Sequence, residues 1–266
     1  MSARTSASVY AAARAEGRAA LVGYLPAGFP SYDGCVAALT AMVSAGVDIV
    51  EIGLPYSDPV LDGPTIQAAA DIALHNKTRT TDVLRTVEAV AATGAAVMVM
   101  TYWNPVLRYG VERFAADLAA AGGSGLITPD LIPDEAAEWI AGSDAAGLER
   151  VFLVAPSSSA DRIASTTAAC RGWVYAASTM GVTGTRETTS SLAPALVERV
   201  RAATELPVGV GLGVSDGAQA AEVAAYADGV VVGSAFVRRV LDNGGPAGAK
   251  AAAELAEDLA AGCRRR

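Results

Sequence analysis

An apolar run followed by an alanine-rich amphipathic stretch recurs eight times along the 266 residues, and few folds can absorb that repeat. The runs begin near Leu21 (LVGYLP), Asp48 (DIVEIGL), Ala96 (AVMVMTY), Ser124 (SGLITPD), Glu149 (ERVFLVA), Trp173 (WVYAAS), Pro207 (PVGVGLG) and Asp228 (DGVVVGS). Each leads into a turn and then a helical pattern, such as Asp82 to Ala92, Glu112 to Ala121 and Asp216 to Ala225. Repeated βα units bury a parallel sheet on both faces, which is why the strands read as continuous apolar runs. Eight such units in about 250 residues predict an α/β chain folded as a TIM (β/α)8 barrel, one domain over residues 1–266. An open doubly wound sheet is the alternative, but no GxGxxG follows the first run and the glycine-rich turns come late in the chain. Ahead of the first run, Val9, Ala12, Ala13 and Glu16 fall at helical spacing before Gly17. The segment is read as an extra N-terminal helix packed on the barrel, although its Arg, Ser and Ala content imitates an organelle transit peptide.

Charge and scarce residue types then exclude whole classes of chemistry. The chain carries 20 Lys+Arg against 28 Asp+Glu, a net charge of -8, and its only basic cluster is Arg264, Arg265 and Arg266. Nucleic-acid sites need a basic face, so that class is set aside. No apolar run approaches the 18 or more residues of a membrane span, and no signal-peptide core is present, so a cytoplasmic location is expected. Cys35, Cys170 and Cys263 have neither metal-ligand nor CxxC spacing. Lys77 and Lys250 are the only lysines, and neither lies on a strand, which removes a Schiff-base aldolase. One histidine, His75, is too few for an ordinary metal-dependent aldolase and is read as a solvent-facing helix cap. Acid/base catalysis by carboxylates, with no cofactor and no metal, is what remains.

Glu51 interrupts the apolar run DIVEIGL. A period-2 reading puts Ile49, Glu51 and Gly53 on one face and Val50 and Ile52 on the other. A lone carboxylate there costs several kcal/mol unless it is hydrogen-bonded, paired or protonated. Either neighbouring backbone and hydroxyl groups satisfy it, or it is an acid/base at the barrel mouth, where this fold keeps its catalytic groups. The second unit is also the longest, because the loop GLPYSDPVLDGPT follows its strand. Asp58, before Pro59, suits a turn that holds local amides. Asp62 is positioned to bring a second carboxylate back over Glu51. Glycine pairs follow the last three runs: Gly181 with Gly184, Gly211 with Gly213, and Gly233 before Ser234. Those are the places where TIM barrels hold phosphate on backbone amides and a helix N-terminus.

The stretch VDIVEIGLPYSDPVLDGPTIQAA, with YLPAGFP before it and TYWNP, GVTG, GLGVS and VGSAFV after it, resembles the tryptophan synthase α-subunit family over essentially the whole chain. The resemblance implies retro-aldol cleavage of indole-3-glycerol phosphate to indole and glyceraldehyde 3-phosphate, a lyase step of tryptophan biosynthesis. It implies Glu51 as principal acid/base and Asp62 as second catalytic carboxylate. It further implies Tyr24 at the substrate, Tyr175 beside the indole, Thr183 as loop contact of Asp62, and Gly184, Gly213, Gly233 and Ser234 at the phosphate. The implied partner is a pyridoxal-phosphate-dependent β subunit in an α2β2 complex, met by Pro55, Asp58, Pro59, Tyr102 and Asn104. Phe29, Thr179, Met180 and Ile132 depart from the family pattern, Ile132 being read as packing variation. Two other functions compete: a sugar-phosphate epimerase or isomerase on the same fold, and a non-catalytic subunit that activates its partner.

Overall fold

A computed structural model of the chain describes residues 4–177, 192–211 and 213–264. The eight apolar runs become strands that each start within one residue of the sequence reading. They are β1 (Ala20–Pro26), β2 (Ile49–Gly53), β3 (Ala96–Met100), β4 (Gly125–Thr128), β5 (Glu149–Val154), β6 (Val174–Ala177), β7 (Val208–Gly211) and β8 (Gly229–Val232). All pair in parallel and in chain order. β8 closes onto β1 from Ala20↔Gly229 to Gly23↔Val232, so the sheet is a barrel and the open-sheet alternative is excluded.

Helix α1 (Ser6–Ala15) precedes β1, and α2 (Tyr32–Ser44) follows it. The long second unit holds loop 54–63 and two helices, α3 (Pro64–His75) and α4 (Thr80–Ala91). Next come α5 (Trp103–Tyr109) and α6 (Val111–Ala120) after β3, α7 (Ala137–Ala146) after β4, and α8 (Ala160–Ala169) after β5. The ring is completed by α9 (Leu192–Arg201), α10 (Gly217–Ala224), α11 (Ser234–Asn243) and α12 (Gly245–Cys263). Helix starts follow ordinary capping chemistry. Ser31, Ser159 and Asp216 accept from the amides of Gly34, Arg162 and Gln219, satisfying donors that the first helical turn leaves open. Among the described residues, no helix is long and apolar enough to cross a membrane.

Strand alternation sorts the core into two layers. Val50, Ile52, Val97 and Val99 pack outward against the helices, whereas Val22, Ile49, Met98, Ile127, Val151 and Trp173 fill the barrel interior. Val9, Tyr10 and Ala13 of α1 join the interior group, so the N-terminal helix closes the floor of the barrel. Ala12 is only partly buried and Glu16 is exposed. All three cysteines are free and buried. His75 is exposed at the end of α3, with Nδ1 2.7 Å from the Asp71 carbonyl.

Candidate active site

β2 carries Glu51 inside the barrel, between its register partners Tyr24 on β1 and Met98 on β3. The carboxyl is 1% exposed, and Oε2 is buried with no hydrogen-bond partner among the described residues. Burial, and secondarily the charge of Asp62, pushes its pKa up to about 8. Among the described residues, surrounding backbone and hydroxyls therefore leave this oxygen unsatisfied. An orphaned buried acceptor costs about 1–3 kcal/mol, which a substrate group can recover.

Asp62 comes back over the mouth on loop 54–63, as expected, but it is less wet than its loop position suggested. It is half-buried, and its pKa is raised by desolvation, with a hydrogen bond from Tyr102 acting in the opposite direction. The Tyr102 hydroxyl donates to Asp62 Oδ1 at 3.0 Å and accepts from the Leu61 amide at 3.0 Å. Tyr102, expected at the partner surface, is 6% exposed and turned toward loop 54–63, which leaves it little surface of its own to offer. No sequence signal links positions 62 and 102; the register of β2 beside β3 does. Asp130 accepts from the Trp103 amide and fixes the start of α5, which in turn fixes Tyr102.

Tyr24 lies between the two carboxylates and the start of α11. Burial raises its pKa well above the ordinary phenol value, with Asp62 and Glu51 as the next contributions. It overlies Gly53, where a Cβ would lie 2.2 Å from the phenol oxygen, and a Cβ on Gly233 would meet its ring at 3.5 Å. Gly233 is the N-cap of α11 and Ser234 its first residue. The first helical bond from this cap is Val237 N–H to the Gly233 carbonyl. The amides of Ser234, Ala235 and Phe236 thus precede it at a positive helix end. Gly213 has φ 72°, a conformation that side chains resist. Gly211 is the last residue of β7 rather than a turn glycine. Tyr175 lies inside the barrel, its pKa raised by burial and then by Glu51. Thr183 and Gly184, with Gly181, Thr179 and Met180, lie outside the described residues.

The remaining expected partner contacts divide. Asp58 is exposed and accepts from Ser57 Oγ at 2.6 Å, while Asn104 is exposed and donates to the Tyr56 hydroxyl at 3.1 Å. Pro59 is partly exposed, but Pro55 is buried within the chain. Val60, Leu107 and Ile132 are exposed at 65%, 53% and 43% on the loops and helix that follow β2, β3 and β4. Ile132 therefore does not serve core packing, whereas Phe29 is buried in the core.

A closed parallel barrel with a buried carboxylate on β2, a half-buried one on the loop after it, and a helix N-terminus after β8 beside Tyr24 defines the class of the chain: a TIM-barrel enzyme. Within that class, the chain belongs to the tryptophan synthase alpha chain family, whose model matches residues 10–263. A tryptophan synthase alpha chain of Acidothermus cellulolyticus is 68% identical over 252 residues, covering 95% of this chain and 94% of the relative. One from Salinispora tropica is 63% identical over 253 residues, covering 95% of each. A solved structure of Mycobacterium tuberculosis tryptophan synthase matches with TM-score 0.93 and 56% identity over 99% of both chains.

Proposed function

We propose that this chain cleaves indole-3-glycerol phosphate to indole and glyceraldehyde 3-phosphate, with Glu51 as acid/base and Asp62 as electrostatic partner. The observation that carries the reading is the orphaned, buried Glu51 carboxyl, whose pKa of about 8 leaves it protonated at neutral pH. Such a group delivers its proton to indole C3, which converts the ring into a leaving group. The resulting carboxylate takes the proton of the adjacent side-chain hydroxyl as the carbon–carbon bond breaks, and Glu51 ends as it began. Asp62, held by Tyr102, sits beside the indole N–H and stabilises positive charge that develops on the ring. The phosphate is taken by Gly213, Gly233, Ser234 and the open amides of α11, with Thr183 and Gly184 on the loop after β6. Only proton transfers are needed, so the reading calls for no cofactor or metal.

The chain works as the α subunit of an α2β2 complex, with the exposed Asp58, Pro59 and Asn104 facing a pyridoxal-phosphate-dependent β subunit. A cytoplasmic location fits three free thiols that stay reduced there. Glu51→Gln tests the assignment: it keeps size and hydrogen bonding but has no proton to give. Turnover to indole is expected to fall at least ~10²-fold with substrate affinity retained. Turnover near that of the unmodified chain excludes Glu51 as the acid/base. The competing epimerase or isomerase reading predicts no indole at all, and a non-catalytic activating role predicts none from the unmodified chain.

A further inference from the structure

Beneath the site, a column of aromatic rings runs down to the N-terminal helix. Tyr175 rests on Trp173 with centroids 5.4 Å apart and planes tilted by 30°, and Trp173 rests on Tyr10 at 5.7 Å and 42°. Glycines on β7 and β8 make the slot for this column. A Cβ at Gly209 would lie 2.6 Å from Trp173 and 2.7 Å from the Tyr10 hydroxyl. One at Gly211 would lie 2.5 Å from the Tyr175 hydroxyl, and one at Gly229 2.5 Å from that of Tyr10. None of these glycines has positive φ, so the space they leave is their contribution. The Trp173 indole N–H is 3.2 Å from Met98 Sδ, and Met98 is the β3 register partner of Glu51. Trp173 therefore touches both the ring wall of the site and the neighbour of the acid/base.

The base of the column is anchored. The Ser6 and Ala7 amides at the start of α1 each donate to the buried Glu149 carboxylate at 2.9 Å. The Tyr10 hydroxyl is buried with no partner among the described residues, so Tyr10 acts through the bulk of its ring.

We infer that Tyr10 and Trp173 are positioning residues: through their stack, helix α1 forms the floor that fixes the Tyr175 ring and Met98, against which the indole and Glu51 are held. The inference rests on the proposed place of Tyr175 beside the indole. The column meets β8 at Gly229, the first residue of that strand and away from Gly233 and α11 at its other end, so loosening it misplaces the indole and the proton donor while leaving the phosphate end intact. Ångström-scale misplacement of reacting groups is costly in turnover.

The test uses the full chain. In Tyr10→Leu, kcat for indole release is expected to fall about tenfold, and indole affinity to fall with it. Glycerol 3-phosphate affinity stays within about twofold, and Tyr10→Phe restores turnover because only the ring is used. A Tyr10→Leu chain with unaltered circular dichroism, a cooperative melt and unaltered kcat overturns the inference, since a merely structural role lowers Tm alone. If Tyr10→Leu does not fold, the unmodified sequence labelled with 5-fluorotryptophan decides. Its Trp173 resonance, identified by its loss in Trp173→Phe, is expected to shift with indole and not with glycerol 3-phosphate. A Trp173 signal that indole leaves in place overturns the inference. Tyr175→Ala separates the two levels. Unchanged indole affinity there removes Tyr175 from the indole wall and with it the basis of the column, whereas reduced affinity in Tyr175→Ala with an unaffected Tyr10→Leu overturns the column alone.

Discussion

A carboxyl that is 1% exposed on a strand of apolar neighbours binds its proton more tightly folded than unfolded, and that difference is readable as stability. For Glu51 the ordinary value of 4.5 rises to about 8. Below the lower value the group is protonated in both states and the fold carries no penalty. Between the two values only the folded chain holds the proton, so stability declines as pH rises, and above the upper value the full cost of a buried charge is present. Glu51→Gln cannot ionise and lacks this slope. Thermal unfolding of the variant is therefore expected to match the unmodified chain near about pH 5 and to exceed it at about pH 8, at up to roughly 1.4 kcal/mol per pH unit crossed. The same substitution that removes the proposed proton donor is thus expected to stabilise the alkaline fold, a trade common at active sites. A stability advantage that grew toward low pH would contradict the raised pKa.

At the scale of elements, loop 54–63, which carries Asp62, is held by the residue after a neighbouring strand rather than by its own sequence. Tyr102, directly after β3, bonds both the Leu61 amide and Asp62. Its hydrogen bond lowers the Asp62 pKa, so Tyr102→Phe is expected to move the acid limb of the turnover profile to higher pH and to cut turnover by about tenfold. An acid limb that stayed in place would remove Tyr102 from this role. Ser234→Asp tests the other end. An acidic residue suits the dipole of the first turn of α11 but repels a phosphate, so in a variant that keeps a cooperative melt KM is expected to rise at least about tenfold. An unchanged KM would place the anion elsewhere. The strands were legible because a parallel barrel buries both faces, so runs such as DGVVVGS carry no polar interruption to confuse their boundaries. Glu51 was legible for the converse reason, as the polar break in such a run. Tyr102 was not, because its partner lies 40 residues away and an aromatic after a strand has the same appearance in a surface loop. Tyr10 was hidden as well. Helical spacing gave α1 a packed face, but nothing in the sequence said that Gly209 and Gly229 lie empty to receive its ring. Gly211 read as a turn residue because a glycine that makes room inside a strand looks the same as one that bends the chain.

At the scale of the whole molecule, the segments that follow β2, β3 and β4 form a surface of mixed apolar and polar groups. Val60, Leu107 and Ile132 expose large apolar side chains after three successive strands, and Asp58 and Asn104 stand exposed beside them. Partner surfaces combine apolar contacts with polar groups that fix register. The same loop 54–63 carries Asp58 and Asp62, so under the proposed assignment a β subunit docked on this part of the mouth would restrain Asp62 directly. Asn104 extends the link, since it donates to Tyr56, whose ring lies 5.5 Å from that of Tyr102, which in turn holds Asp62. A loop that must be ordered to catalyse carries a population cost when free, and a partner that binds the ordered form removes it. The isolated chain is accordingly expected to release indole slowly. A saturating titration with the β subunit should raise turnover at least ~10-fold, the effect of raising a sparsely populated competent state. Asp58→Ala is expected to reduce that stimulation and leave the slow basal rate in place, because Asp58 is exposed and bonds only Ser57 within the described residues. Equal turnover with and without partner would show that the loop is already ordered in the free chain. Full stimulation of Asp58→Ala would mean that the apolar residues Val60, Leu107 and Ile132 carry the coupling without it.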